Sequence, residues 1–258
     1  MMIGGVWSQK KRDQGRYLQQ VSVNMDRTEH LEQLFHQLNV GDVVQRNNAC
    51  DEIQKMVGQT ADLAEKDRLR QNIIYHLIDL GRVYEAEIII EALRASANHD
   101  MQAASCFHRI EFCKKFASDA DQVESAIQEA LSFTKAIGHE AAYTDANMEY
   151  GKFLAGRGKE CGAITCFSDV ANYAENHRNN KLLAAAKYYL GFCLYHLGHL
   201  SMANSFLREA TEMAFRERNH ILVQTSETLR AIVLMKQGKN DEAQIIFQQW
   251  ESNFGLLL

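Results

Sequence analysis

The chain of 258 residues contains no proline. Proline interrupts helix interiors and is common in loops and edge strands, so a chain of this length without it is expected to consist mostly of helices joined by short turns. The alternation of β-branched and polar residues that is typical of strands is also scarce, whereas Ala, Leu, Gln and Glu are frequent. The sequence therefore predicts an all-α fold.

Long apolar runs and an excess of basic residues are also missing. No stretch of 18 apolar residues occurs, so no membrane-spanning helix is expected. Lys and Arg number 28 against 33 Asp and Glu, and this net charge of -5 argues against a general nucleic-acid binder. The six cysteines form no C-x-x-C pair, and residues 1–16 do not have the order of a secretory signal. We therefore expect reduced thiols in a cytoplasmic protein.

Motifs that bind nucleotides or metal ions, or that supply a nucleophile, are absent as well. No P-loop, no G-x-S-x-G and no H-E-x-x-H occurs. His196 and His199 are close in sequence, but a zinc site would need two more ligands. Cys161, near Lys159, is the strongest candidate for a reactive thiol, and a packed or surface thiol is the preferred interpretation. The sequence predicts a protein that is not an enzyme and that uses no metal and no cofactor.

The chain contains an internal repeat. Gly158, Gly198 and Gly238 are equally spaced along the sequence. Each is followed five residues later by alanine and nine residues later by a large apolar residue, and is preceded seven residues earlier by a small residue. These positions are Ala163, Ala203 and Ala243; Phe167, Leu207 and Phe247; and Gly151, Gly191 and Ala231. Several residue classes that recur in the same register indicate repeated structural units.

The repeat extends towards the N-terminus. Gly81, Ala86 and Ile90 have the same spacing, and a degenerate copy in between has Ser118 in place of the turn glycine. Each unit is predicted to be a pair of antiparallel amphipathic helices, with glycine ending the first helix and a residue such as Ser201 capping the second. The five predicted hairpins span 67–99, 100–140, 141–180, 181–220 and 221–254.

The spacing small-x6-Gly-x4-Ala-x3-large resembles that of tetratricopeptide repeats, most clearly in "YYLGFCLYHLGHLSMANSFLREATEMA" (188–214). The resemblance covers residues 67–254. The period is longer than the usual one of that family and the terminal proline is missing, as in the long-repeat proteins found among bacterial peptide-sensing regulators and eukaryotic adaptors. HEAT and armadillo repeats are the second interpretation. The resemblance implies a right-handed α-solenoid, a TPR-like superhelix with a concave groove.

In the resembled family, the first helix of each hairpin lines that groove. Aromatic residues and methionines, with a few bases, suit a peptide or helix that lies along it. The alternative is that several of these side chains belong to the core. The groove residues implied here are Tyr75, His108, Phe112, Lys115, Met148, Lys152, Tyr188, Phe192, Tyr195 and Met235.

Residues 1–66 are predicted to be separate from the solenoid at 67–258. One amphipathic helix is predicted from Arg27 to Leu38, and a second is predicted to be capped by Asp42 and ended by Gly58. The segment could be a cap, a degenerate repeat or a separate contact module. A DNA-reading helix-turn-helix would need a more basic recognition face than Arg46 and Lys55 supply.

The predicted function is that of a protein- or peptide-binding scaffold or adaptor that uses the concave groove. The alternative is a ligand-responsive, peptide-sensing regulator of transcription or signalling that acts through its N-terminal helices. A homodimer is a further expectation, because solenoids normally end in a polar face and the last hairpin here is apolar. The apolar residues in question are Phe247, Trp250, Phe254 and Leu256 to Leu258.

Overall fold

The computed structural model describes residues 27–254, and for 249–254 it describes the backbone only. Within this range all regular secondary structure is α-helical, and consecutive helices pack against each other within residues 43–94 and within residues 120–254, which confirms the predicted all-α repeat fold. The twelve helices are 27–40 (α1), Val43–Gln59 (α2), Leu63–Asp79 (α3), Val83–Arg94 (α4), His99–Phe116 (α5), Ala120–Ala136 (α6), Glu140–Gly156 (α7), Glu160–Asn176 (α8), Asn180–His196 (α9), Leu200–Arg216 (α10), His220–Lys236 (α11) and Asn240–Phe254 (α12).

The second half of the chain repeats with great regularity. Each helix from α6 to α11 has 17 residues, and each is followed by a turn of three residues. Such a helix is about 26 Å long at 1.5 Å per residue. Two such helices with their two turns span the same stretch of chain as the interval between Gly158 and Gly198, so the period predicted from the glycines is confirmed.

Each of these six turns contains a residue in the left-handed conformation. Gly158, Gly198 and Gly238 have φ between 69° and 81°, as the sequence predicts for residues that end a helix. The turns after α8 and α10 instead place Arg178 and Arg218 in this conformation, with φ of 54° and 56°. A side chain with a Cβ is strained there, so these two turns store unfavourable conformational energy.

Replacing Arg178 with glycine is expected to raise the free energy of unfolding by about 1 kcal/mol, because the strain of the left-handed conformation is removed. The main-chain hydrogen bond from Asn179 to the carbonyl of Ala174 is kept, at 2.8 Å. The same substitution at Arg216, inside the last turn of α10, is the control and is expected to be destabilising by about 1 kcal/mol. Urea unfolding followed by circular dichroism measures both free energies of unfolding. A change of the same sign in the two variants would contradict the prediction.

The chain divides into two compact units, residues 1–115 and 116–258. The predicted boundary after residue 66 stays a prediction. Within the first unit, α2 is joined to the hairpin of α3 and α4 by charged and polar side chains. Arg46 pairs with Asp79 at 2.6 Å, Arg82 pairs with Asp51 at 2.6 Å, and the amide of Gln54 donates to Glu85 at 2.7 Å.

Two predicted helix ends need correction. Asp42 caps α2 as predicted, with a reciprocal hydrogen bond from its own backbone N–H to the side chain of Gln45. However, α2 continues through Gly58 to Gln59, because this glycine has an ordinary helical conformation. In the second unit α10 begins at Leu200, so Ser201 lies inside its first turn and is not the cap.

Glycines pack closely against large apolar residues in two hairpins of the second unit, α7–α8 and α9–α10. A Cβ atom on Gly151 would lie 2.6 Å from the ring of Phe167, and one on Gly191 would lie 2.7 Å from Cγ of Leu207. Phe167 and Leu207 are completely buried. The small residues predicted from the repeat therefore allow the two helices of a hairpin to approach each other closely.

Candidate functional site

The first helices of the last three hairpins are neighbours, because α9 contacts both α7 and α11. The repeat places Lys152 and Phe192 at one position of the unit, and Tyr195 and Met235 at another. Equivalent positions of stacked repeats lie on the same side of the stack. We call this surface the α7–α9–α11 face and define it by Lys152, Tyr188, Phe192, Tyr195, His196, Met235 and Lys236.

Aromatic side chains form the centre of this face. Tyr188, Phe192 and Tyr195 are four and three residues apart on α9, so they share one side of that helix. All three are half-buried and pack against a core cluster that includes Leu194 and Leu207. The rings are therefore held by the core at one end and exposed at the other.

Further ring contacts join these residues. The ring of His196 lies 4.4 Å from that of Phe192 and 5.2 Å from that of Tyr195, between centroids. Tyr188 makes an edge contact with Tyr189 at 5.0 Å. Burial, with a smaller effect of Tyr189, raises the pKa of the Tyr188 hydroxyl, so this group stays protonated and can donate a hydrogen bond.

Lysines lie over several of the rings. Nζ of Lys236 is 4.5 Å from the centre of the Tyr195 ring, and Nζ of Lys152 is 5.6 Å from that of Tyr189. A cation over an aromatic face is attracted by the ring quadrupole. Lys152 is also paired with Glu149 at 2.6 Å. The face thus combines apolar area with positive charge.

In the second unit, four of the predicted groove residues have partly accessible side chains, and a fifth has an exposed side chain. Lys152 is half-buried, as are the three rings of α9, and Met235 is 44% exposed. The prediction for Met148 is wrong, because this side chain is only 5% exposed and packs in the core cluster with Phe167 and Leu190. Sequence analysis missed His196 and Lys236, which a careful count of one turn beyond Phe192 and Ile232 would have found.

In the first unit, the predicted groove residues are divided between surface and core. Tyr75 is 52% exposed, and Nζ of the exposed Lys115 donates to the backbone carbonyl of Asp79 at 2.8 Å. The predictions for His108 and Phe112 are wrong, because both side chains lie in the core. Because this set belongs to a different compact unit from the α7–α9–α11 face, we describe it separately.

A shallow cleft of about 490 Å³ lies beside Tyr75. Its charged side chains are largely paired with one another, since Asp79 accepts from both Arg46 and Lys115. These hydrogen bonds hold the pKa of Asp79 below its usual range. The cleft is lined by Arg46, Tyr75, His76, Ile78, Asp79, Glu111, Lys114 and Lys115. Such mutual pairing stabilises the surface and leaves little charge for a ligand.

His108 makes the stability of the protein depend on pH. Its ring is buried beside Tyr75, 4.7 Å away, and neither ring nitrogen has a hydrogen-bond partner. Burial lowers the pKa of His108 from 6.5 to about 4. Between pH 6.5 and pH 4 the His108 ring is therefore protonated in the unfolded chain but neutral in the folded chain. The contribution of the neutral ring to the free energy of unfolding is complete above pH 6.5 and is lost as the pH falls towards 4.

Wild-type protein is expected to lose about 2 kcal/mol of unfolding free energy at His108 between pH 7.5 and pH 5. The His108→Phe variant keeps a ring against Tyr75 and has no proton to bind. Its loss over the same pH interval is expected to be smaller by that amount. Urea unfolding at the two pH values tests this, and an identical pH dependence of the two proteins would exclude the assignment.

The other candidate groups do not assemble into a site. Among residues 27–254, no three His, Cys, Asp or Glu side chains lie together as a metal-binding group. No helix in the described part of the chain is long and apolar enough to cross a membrane. Cys161 is exposed, and burial raises the pKa of both Cys50 and Cys193 to about 11, so these two remain thiols.

The residues predicted to form a dimer contact lie at the end of the second unit. Phe247 is 42% exposed, whereas Phe167 and Leu207, its counterparts in the preceding repeats, are completely buried. The side chains of Trp250 and Phe254, and residues 256–258, fall outside the described residues. A homodimer stays a prediction.

The sequence matches no protein-family profile and no curated protein. Solved structures with a similar fold exist. One is the signal-transduction ATPase with numerous domains (STAND) protein with a tetratricopeptide repeat sensor from Pyrococcus horikoshii, with a TM-score of 0.69 and 10% identity over 86% of this chain. This chain spans only 35% of that protein's length.

Two further structures extend the comparison. BtubC (BKLC) from P. vanneervenii has a TM-score of 0.69 at 12% identity, over 83% of this chain and 90% of its own. A Rap protein complexed with competence and sporulation factor has a TM-score of 0.51 at 13% identity, over 87% of this chain and 75% of its own. At these identities the likeness concerns the fold alone, a stack of α-helical hairpins.

Proposed function

We propose that the chain is a protein- or peptide-binding scaffold and that its binding surface is the α7–α9–α11 face. The observation that carries this proposal is the row of half-exposed rings on α9, flanked by the exposed Met235 and by Lys236. Rigid aromatic side chains supply large contact areas at a low cost in conformational entropy, and methionine adapts to irregular partners. Helical-repeat folds host many roles, so the proposal rests on these side chains and not on the fold.

The packing of the rings favours a preformed surface. The ring of His196 contacts both Phe192 and Tyr195, and the latter also lies under Lys236. Side chains that already touch one another lose little freedom when a ligand binds, which lowers the entropic cost of binding. An extended peptide or a single helix could lie across the three helices in this way.

The proposal is tested by selecting peptides from a phage-displayed random library on the purified chain. The selected peptides are then titrated by fluorescence anisotropy against wild type, Tyr195→Ala and Met235→Ala. At least tenfold weaker binding is expected for both variants, because each removes apolar contact area from the face. The matched control is Phe215→Ala, which removes an apolar side chain that is 71% exposed. Phe215 lies on α10, the second helix of its hairpin, and is not part of the face.

Selected peptides that bind Phe215→Ala within twofold of wild type, and that bind the other two variants poorly, support the proposal. Equal binding of the peptides to wild type and to all three variants would contradict the proposal that the α7–α9–α11 face is the binding surface. Thermal melts of each variant confirm that the fold is retained. The same set of proteins can be used for affinity capture from cell extract, where the variants distinguish specific from accidental partners.

A peptide-responsive regulator is the second candidate. The division of the chain into two compact units favours it, since a ligand held by residues 116–258 could change the behaviour of residues 1–115. Small-angle X-ray scattering with and without a selected peptide tests this candidate. An unchanged radius of gyration at saturation would argue for a passive scaffold.

A further inference from the structure

The turns that follow α6, α8 and α10 form one edge of the second unit. Each turn joins two helices of equal length, so all three lie at the same end of the stacked hairpins. Nε2 of His177 lies 4.0 Å from a carboxylate oxygen of Glu140 on the preceding turn. The amide of Asn180 donates to Glu217 on the following turn at 3.3 Å. We call this surface the α6–α8–α10 edge and define it by residues 135–141, 175–181 and 215–221.

Two large apolar side chains project from this edge, on either side of one turn. Phe215, in the last turn of α10, is 71% exposed, and Ile221, in the first turn of α11, is 78% exposed. One repeat earlier, the same positions carry the charged residues Glu175 and Lys181. The fold therefore does not require an apolar residue at either position. An exposed apolar pair of this kind indicates a surface that contacts another molecule.

Positive charge surrounds the apolar pair. The edge has five exposed cations against three carboxylates, whereas the whole chain has 28 cations against 33 carboxylates. Among the described side chains, none of the five cations has an ion-pair partner within 4.0 Å, while two of the three carboxylates contact the neighbouring turn. Three helices end at this edge and three begin, so their dipoles largely cancel. The unpaired cations are Lys135, Arg178, Lys181, Arg216 and Arg218.

The backbone at two of these arginines supports a role for their side chains. Four of the six turns that follow α6 to α11 have glycine in the left-handed conformation. The two exceptions, Arg178 and Arg218, lie on adjacent turns of this edge. Glycine would adopt the same conformation without strain. Strained residues cluster at functional sites, so a contact made by the arginine side chains accounts for their presence here.

We infer that the α6–α8–α10 edge binds the surface of an anionic lipid bilayer, with its cations paired to lipid headgroups and with Phe215 and Ile221 inserted among the acyl chains. A bilayer presents anionic groups and hydrocarbon at successive depths, so it accommodates both kinds of side chain at once. A nucleic acid would pair with the arginines but would leave Ile221 in water. The edge shares no residue with the α7–α9–α11 face, and the inference does not depend on the proposed function.

Co-sedimentation of the full chain with vesicles tests the inference. Vesicles of phosphatidylcholine and phosphatidylserine in equal amounts are expected to bind the chain about tenfold more tightly than vesicles of phosphatidylcholine alone, because only the mixed vesicles attract the cations. Arg216→Gln/Arg218→Gln is expected to weaken binding to the mixed vesicles about tenfold. Phe215→Ser/Ile221→Ser is expected to weaken it by a similar factor, because the apolar contact with the acyl chains is lost.

Other surfaces of the second unit supply matched controls. Arg157→Gln/Lys159→Gln removes two exposed cations from the turn after α7, at the opposite end of the hairpins. Met202→Ser/Ile245→Ser removes two apolar side chains that are 54% and 53% exposed. Both controls are expected to bind the mixed vesicles within about twofold of wild type. All the exchanged side chains lie on the surface, and circular dichroism checks that each variant is folded.

Phe215→Trp measures insertion directly. The emission that this variant adds to that of wild type is expected to move to shorter wavelength when the mixed vesicles are added, because the indole leaves water for the acyl region. A chain that sediments with the vesicles while this emission stays unchanged would bind through another surface, and the inference would be wrong.

The remaining outcomes are equally decisive. Equal binding to both kinds of vesicle, binding to neither, or binding that survives in both variants of the edge overturns the inference. Binding of a single-stranded oligonucleotide in place of vesicles, lost in Arg216→Gln/Arg218→Gln and kept in Phe215→Ser/Ile221→Ser, would also overturn it and would assign the edge to nucleic acid. Loss of vesicle binding in the two edge variants, with the two controls unaffected, supports it.

Discussion

Replacing Phe167 with alanine is expected to lower the free energy of unfolding by about 3–5 kcal/mol, one of the two largest effects of any single substitution discussed for this chain. Phe167 has no solvent exposure and lies between the two neighbouring helices. Its ring meets Gly151 of α7 from one side and stacks on Tyr189 of α9 at 4.9 Å from the other. Truncation removes contacts with both helices and leaves a cavity that neither can fill without moving.

Urea unfolding of Phe167→Ala and Phe215→Ala measures the effect. Phe215 has the same side chain but is 71% exposed, so its truncation is expected to cost well under about 1 kcal/mol. Because both variants lose the same phenyl ring, the difference between their free energies of unfolding measures the effect of burial. A loss below about 1.5 kcal/mol for Phe167→Ala would mean that the two hairpins do not share a continuous core.

Replacing Gly191 with valine is expected to lower the free energy of unfolding by about 3 kcal/mol, for the opposite reason. A Cβ at this position would lie 2.7 Å from Cγ of Leu207 and 3.3 Å from the backbone carbonyl of Ala203. Leu207 is completely buried and Cγ is not the flexible end of its side chain, so neither neighbour can give way cheaply. The two helices of the hairpin must separate, and this loosens the contacts along their whole length.

Helix propensity alone predicts the reverse, since glycine is a less favourable helix residue than alanine by about 1 kcal/mol. Gly58 supplies the comparison, because it also lies in a helix and an added Cβ would have no neighbour within 4 Å. Gly58→Ala is expected to raise the free energy of unfolding by about 0.5–1 kcal/mol. Thermal unfolding of both variants checks this, and stabilisation by Gly191→Val would contradict the close helix approach.

The repeat could be predicted from the sequence because packing imposes it directly on residue type. Gly191 is small because Leu207 lies against it, and Gly198 is glycine because its φ is 81°. Both requirements are local to one hairpin. A glycine faces a buried large residue in the α7–α8 and α9–α10 hairpins, and a left-handed glycine follows α7, α9 and α11, so the requirements leave a periodic signal. The hairpin boundaries and the turn glycines followed from that signal.

The accessible surface could be predicted only in part. The repeat assigns the same position to Met148 and Tyr188, yet Met148 is buried while Tyr188 is half-exposed. Whether a residue at this position reaches solvent depends on the size of its neighbours on the adjacent helices, which the repeat does not specify. The attachment of α2 to the first hairpin uses pairs such as Arg46–Asp79, which are far apart in the sequence and follow no local pattern.

The uniform length of helices and turns limits how the chain length of such a protein can change. One inserted residue in a helix rotates every following side chain about the helix axis by about 100° and moves the next small residue away from its large partner. From α6 to α11 no helix is longer or shorter than another, so no segment there can absorb the error. Growth or shrinkage that preserves the fold is confined to whole hairpins, each added or removed as one complete unit.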